Sequence, residues 1–128
     1  MKPVIIVCIV LCTILMASSC VLLSLTRGLD EVMALQIHEV DLSTIADGVY
    51  SGTYDCERWK NTLQVTVVDH AITAISIVKD VRFAISETSN AIFARVMETQ
   101  SLTVDAVSGS TVTSKAYLKS MELALRNQ

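Results

Sequence analysis

Between Pro3 and Thr26 the chain runs for 24 residues without a charged side chain. Most of them are Val, Ile, Leu, Cys or Ala. No other feature limits so strongly what this chain can fold into. Taken as a helix, Val4–Leu25 would be about 33 Å long, enough to cross a hydrocarbon core of roughly 30 Å. A secretory signal has a shorter apolar region, about 7–15 residues. Residues 1–26 therefore read as a retained transmembrane anchor in a lipid bilayer. A lipoprotein signal ending at Cys20 is the competing reading, because Ala17, Ser18 and Ser19 precede that cysteine. Val21-Leu22-Leu23 opposes it by continuing the apolar run. Lys2 flanks one side of the run; Arg27, Asp30 and Glu31 flank the other. The positive-inside rule counts only Lys and Arg. The resulting bias is small. It favours an internal amino terminus and a single-pass protein of the cell membrane, with the soluble domain on the extracytoplasmic side.

The charges lie almost entirely beyond the anchor. Residues 27–128 hold nine basic and thirteen acidic side chains, a formal charge of −4. An acidic domain is a poor nucleic-acid binder, since phosphate neutralisation needs a basic face. The same balance predicts weak attraction to anionic lipid head groups. Cys8, Cys12 and Cys20 sit in the apolar run, where cysteine serves as a small, weakly polar residue. Cys56 stands alone in the soluble part, with no second Cys or nearby His for a disulfide or a metal.

Residues 27–46 read as a connector. Val32, Leu35 and Glu39 fall at helical spacing, which predicts some further turns of helix beyond the anchor. Asp47-Gly48 punctuates the chain, and residues 47–128 read as the domain. Val49–Tyr54 is a first strand, with Gly52 marking a bulge or a close backbone approach. Leu63-Gln-Val-Thr-Val alternates with the period of a half-buried strand, and Ala71–Val78 repeats the pattern after Asp69-His70. The two make an antiparallel hairpin. Ile85, Ile92, Phe93, Val96 and Met97 predict a helix, with Ser89 or Asn90 as its cap. Tyr117, Met121, Ala124 and Leu125 mark one face of a last helix. The fold class is thus α+β: a small antiparallel sheet packed against two helices, preceded by one N-terminal transmembrane helix.

The stretch Asp105-Ala-Val-Ser-Gly-Ser-Thr-Val-Thr-Ser114 is dense in hydroxyls and runs into the last helix. The first amides of a helix lack internal partners, and the dipole there favours an anion. Such a loop is a possible phosphate seat. Ser and Thr are also ordinary helix caps that need bind nothing. The loop is not a Walker motif, having neither the second Gly nor the Lys-Ser/Thr pair.

This stretch resembles the Asp-x-x-Ser/Thr-Gly-Ala-Thr signature of FMN-binding domains. That family includes the FMN-carrying subunits of the sodium-pumping NADH:quinone reductase and of the Rnf ferredoxin:NAD reductase. Asp47-Gly-Val-Tyr-Ser-Gly-Thr-Tyr54 resembles the family's opening Gly-x-Tyr-x-Gly strand. Leu63–Val78 resembles its next two strands, and Met97-Glu-Thr-Gln-Ser101 the segment leading into the signature. The resemblance implies a covalent FMN, joined through its phosphate to the hydroxyl of Thr111 by a dedicated flavin transferase that uses FAD. It implies that the transferase recognises Asp105, Ser108 and Gly109. Ser110 stands where Ala is usual, which adds a hydroxyl beside the acceptor, and Thr113 is a further alternative. The implied function is an electron relay that works with a membrane electron-transfer partner. The alternative is a non-catalytic flavin-sensing module, or an assembly and regulatory module, of a membrane redox complex.

The remaining residues point elsewhere. Tyr50 and Tyr54 read as core, whereas Trp59, among Glu57, Arg58 and Lys60, reads as a loop residue that is either exposed or placed over the flavin ring. His38 and His70 belong to no triad or metal set and read as solvated. No nucleophile–base arrangement and no nicotinamide fingerprint is present, so the domain does not read as a hydrolase, a transferase or an NADH oxidase by itself.

Overall fold

A computed structural model describes residues 2–126. Helix α1, Lys2–Thr26, is 25 residues long and buries none of them within the protein. It is long and apolar enough to cross a membrane. The helix stops at Gly28, whose φ of +79° is the left-handed conformation that closes helices. A Cβ at that position would also stand 2.8 Å from Cys56 Sγ. Only a single short turn follows, α2 at Leu29–Met33. The predicted helical continuation to Glu39 is therefore corrected: beyond α2 the chain has no regular structure until a 3-10 turn at Leu42–Thr44. The physical reason is burial. Val32 and Ile45 are both 0% exposed, so the connector is drawn into the domain core instead of running on as a free helix.

The sheet has three strands in the order β1-β2-β3, both pairs antiparallel. They are β1 Gly48–Tyr54, β2 Asn61–Val68 and β3 Ala71–Lys79. In β2 the residues Asn61, Leu63, Val65 and Val67 point inward while their neighbours face outward, the alternation read from the sequence. Asp69 and His70 form the two-residue turn, with φ of +50° and +61°. Two successive positive φ values match the twist of a tight hairpin. Asp and His reach that region more readily than most residues, so no Gly is needed.

Trp59 lies between two strands, as expected of a loop residue, but is buried in the core. It lies in a 3-10 turn, Glu57–Trp59, and is 2% exposed. Its charged neighbours point out while the indole fills the core, a reversal that a tight turn allows within one residue. Tyr54 is buried and Tyr50 half-buried, as expected of core residues. Burial pushes the Cys56 thiol up, which makes it a poor nucleophile.

Helix α3, Ser86–Thr99, starts earlier than its predicted caps. Ser89 and Asn90 lie inside it, and Ser89 Oγ donates to Ser86 O at 3.1 Å. Ile85 precedes the helix and is exposed; Ile92 and Val96 supply the buried face. At the other end Gln100 clasps β3, accepting from Ile72 N at 2.6 Å and donating to Ile72 O at 3.0 Å.

Helix α4, Thr111–Arg126, lies across β1 and β2. Tyr117, Met121, Ala124 and Leu125 are buried as the spacing predicts. The helix comes so near that a Cβ on Gly52 would fall 2.1 Å from Ser120 O and 2.4 Å from Ala124 N. Ser120 Oγ accepts from Tyr54 N at 3.1 Å and donates to Asn61 O at 3.2 Å, stitching helix to sheet. Glu122, 1% exposed, gathers Lys119, Arg126 and His38 at 2.9–3.1 Å. Burial alone would raise its pKa; the hydrogen bonds from Lys119, Arg126 and the His38 amide outweigh that and hold it below the usual carboxylate range.

Candidate functional site

The segment from Asp105 to Ser114 is a loop closed onto the start of α4. Ser110 N donates to Val107 O at 2.9 Å, forming a turn. Gly109 sits in that turn with φ +79°, the conformation an L side chain rarely adopts. A Cβ there would meet nothing within 4 Å, so the glycine answers a backbone demand and leaves open space around it. The first i→i−4 bond of the helix runs from Ser114 N to Ser110 O at 2.9 Å. Ser114 also ties the loop from inside. Its Oγ accepts from Val107 N at 3.1 Å and donates to Ser110 O at 2.7 Å.

These bonds set the fate of each hydroxyl. Thr111 is the first residue of α4 and is exposed. Ser108 and Asp105 are exposed; Ser110 and Thr113 are half-buried. The Ser110 hydroxyl accepts from Thr88 Oγ1 at 3.0 Å. All six residues singled out from the sequence therefore fall on one loop and one helix turn. Thr111 is the accessible hydroxyl at the helix start, whereas Ser110 is already engaged. The amides of Thr111, Val112 and Thr113 precede the first i→i−4 bond, and no acidic side chain lies in the first turn to neutralise the helix dipole. That end of α4 suits an anion.

Helix α3 is the loop's scaffold, a role the sequence did not reveal. Thr88 holds Ser110, and Arg95 Nη1 donates to Asp105 O at 2.8 Å. The two are seven apart, two turns along one face. Arg95, Thr99, Ser101, Thr103, Val104 and Ser108 line an open groove of about 530 Å³ that also includes Asp105 and Ala106. A volume of that order accommodates a cofactor-sized ligand. Glu39 anchors the groove's far wall. It accepts from Leu102 N at 3.2 Å, from Thr103 Oγ1 at 3.0 Å and from Ser101 Oγ. Burial opposes ionisation, yet these bonds hold its carboxyl below the usual range. The polar line Thr88, Arg95, Thr99 was the available signal in the sequence; its meaning depends on which loop it faces.

The histidines lie away from the loop. His38 is exposed beside Glu122, and His70 Nδ1 is 3.2 Å from the carbonyls of Leu42 and Ile45.

A family model described as an FMN-binding domain matches residues 59–126, just over half of the chain. The match begins at the buried tryptophan and takes in the hairpin, α3, the loop and α4. A comparison with curated proteins finds no match.

Proposed function

The chain belongs to the FMN-binding domain family, and from that premise we propose that it is a membrane-anchored flavoprotein whose FMN is joined through its phosphate to the hydroxyl of Thr111. The reading rests on one observation above the others. The acceptor predicted from the sequence is the exposed hydroxyl at the start of a 16-residue helix, beside a glycine that leaves its surroundings open.

The residues present suit a phosphate-linked flavin. The unpartnered amides of the first turn of α4 favour the phosphate charge. Ser108, Gly109, Ser110 and Thr113 surround the attachment point along the chain. Asp105, exposed beside the groove, is available to a transferase. Arg95 has further guanidinium N–H groups for the polar edges of a ligand in the groove, whereas the hydroxyls of Thr99 and Ser101 already donate to Arg95 O and to Glu39. Bound FMN supplies one- and two-electron redox chemistry, and the protein supplies position and electrostatics. We assign the domain to the extracytoplasmic side and the function to electron relay with a membrane partner, matured by a flavin transferase. A covalent tether suits that location, since a free cofactor would be lost by dilution.

Intact mass tests the attachment. The full chain is expressed with and without a flavin transferase, beside Thr111→Ala. The expected result is a gain of FMN minus one water, absent in the variant. A gain that survives in the variant moves the attachment to Ser110 or Thr113. No gain with active transferase and FAD present sinks the covalent carrier and leaves the sensing or assembly module.

A further inference from the structure

The net charge of the domain conceals an uneven distribution. Lys119 and Arg126 pair with Glu122, and Lys115 and Arg95 hold backbone carbonyls. The cations with no carboxylate partner among the described residues include Arg27, Arg58, Lys79 and Arg82. The last three line one groove of about 460 Å³, together with Lys60 and with Ser24 of α1. Two acids share the groove, Glu57 and Asp80. Asp80 Oδ1 is already taken by Tyr117 Oη at 2.5 Å and Val81 N at 2.8 Å. Lys60 pairs with Asp55 at 3.3 Å.

The groove is built against the end of the apolar helix. Arg58 Nε donates to Leu25 O at 3.0 Å, filling one of the carbonyls a helix end leaves unpaired. Arg82 N donates to Arg58 O at 2.8 Å, so the loop after β3 is held beside α1. At that loop's tip Phe83 is 63% exposed with φ +60°, an unfavourable backbone for an aromatic residue in water. The guanidinium groups of Arg58 and Arg82 lie 5.9 and 5.7 Å from its ring. Phe83 and Arg82 also wall a cleft whose other side is Cys20, Val21, Ser24 and Leu25 of α1. Counted from Val4, a hydrocarbon core takes up about 20 residues and ends near Leu23. The cleft therefore straddles the edge of the hydrocarbon core, and the cations beside Ser24 and Leu25 fall at headgroup depth. Arginine, lysine and an exposed aromatic are the side chains that suit that layer.

We propose that Arg58, Lys79, Arg82 and Phe83 form a docking surface for the bilayer that holds α1. The three cations take the phosphates of anionic lipids, and Phe83 reaches the boundary of the acyl chains. The overall acidity of the domain predicted weak attraction to such head groups; the local arrangement reverses that expectation. The inference rests on α1 spanning the membrane, and not on the flavin.

The test uses the full chain in vesicles of phosphatidylcholine, with and without phosphatidylglycerol. Phe83→Trp places an indole at the loop tip, and the unaltered chain gives the Trp59 baseline. Lipids brominated just below the headgroup should quench position 83 when phosphatidylglycerol is present. Adding Lys79→Glu and Arg82→Glu should lower the docking equilibrium constant by at least about fivefold for each cation replaced. In the unaltered chain, amide exchange over residues 80–85 should slow in the anionic vesicles. Quenching no greater than the baseline, or equal with and without phosphatidylglycerol, overturns the proposal. Loss of quenching on adding inorganic phosphate at constant ionic strength assigns the cluster to free phosphate and also overturns it. Flotation of the same vesicles separates the two failures. A chain that floats but is not quenched keeps its anchor and loses the docking surface; a chain that does not float loses both.

Discussion

Two glycines face opposite demands along α4. Gly52 sits beneath the middle of the helix, where any side chain would collide with the backbone of Ser120 and Ala124. Gly109 sits just before the helix, where a side chain would touch nothing but the backbone needs a positive φ. The first is required by packing and the second by conformation. The middle of α4 is thus a closed joint between helix and sheet, and its beginning is an open platform. A platform shaped by backbone geometry, with space left around it, is what a modifying enzyme and a bound cofactor need. A joint has no such requirement.

Substitutions sharpen the contrast. Gly52→Ala should be the most damaging, costing more than about 3 kcal/mol because two pieces of backbone must part. Urea denaturation would read it, and a stable, unshifted midpoint would mean that the joint is looser than described. Ser114→Ala comes next. It leaves the Val107 amide without its acceptor and should cost about 1–3 kcal/mol. Gly109→Ala should cost about 1–2 kcal/mol for the left-handed backbone alone. Its effect on transferase-dependent mass gain should be far larger than its effect on melting temperature. Equal losses of both would erase the distinction between platform and joint.

The smallest effect is one of pH. Glu122 has a folded pKa below its ordinary 4.5, so its contribution is complete above that value and is lost as pH falls through the lowered one. Stability should fall below about pH 4.5, and Glu122→Gln should flatten that part of the profile while lowering stability at neutral pH by about 1 kcal/mol, its partners being partly exposed. An unchanged acid limb in the variant would assign the loss to other carboxylates.

Much of the joint was legible in the sequence. Leu63, Val65 and Val67 alternate visibly, Gly52 interrupts a strand, and Tyr117, Met121, Ala124 and Leu125 keep a helical period, because local periodicity records which side faces the core. The loop before α4 was legible through its string of hydroxyls and its single glycine. Its supports were not. Thr88 and Arg95 hold the loop, and Glu39 holds the segment just before it, across stretches of chain that no local pattern marks. The burial of Trp59 was not legible, because flanking charges describe the neighbours and not the ring. The connector was misread because Gly28 ends α1 and hands Val32 to the core. Net charge gave no sign of the groove that gathers Arg58, Lys79 and Arg82, since a sum over the chain discards position.

Helix α4 is also the last element of the domain to be made. The strands and α3 are synthesised first, but β1 and β2 are covered only when α4 packs across them. Thr111 opens that final helix, and its exposure depends on a turn held by Ser114 and on contacts from α3. A partly folded chain would lack that ordered turn. A flavin attached at Thr111 would thus serve as a timestamp, marking only molecules whose domain has folded.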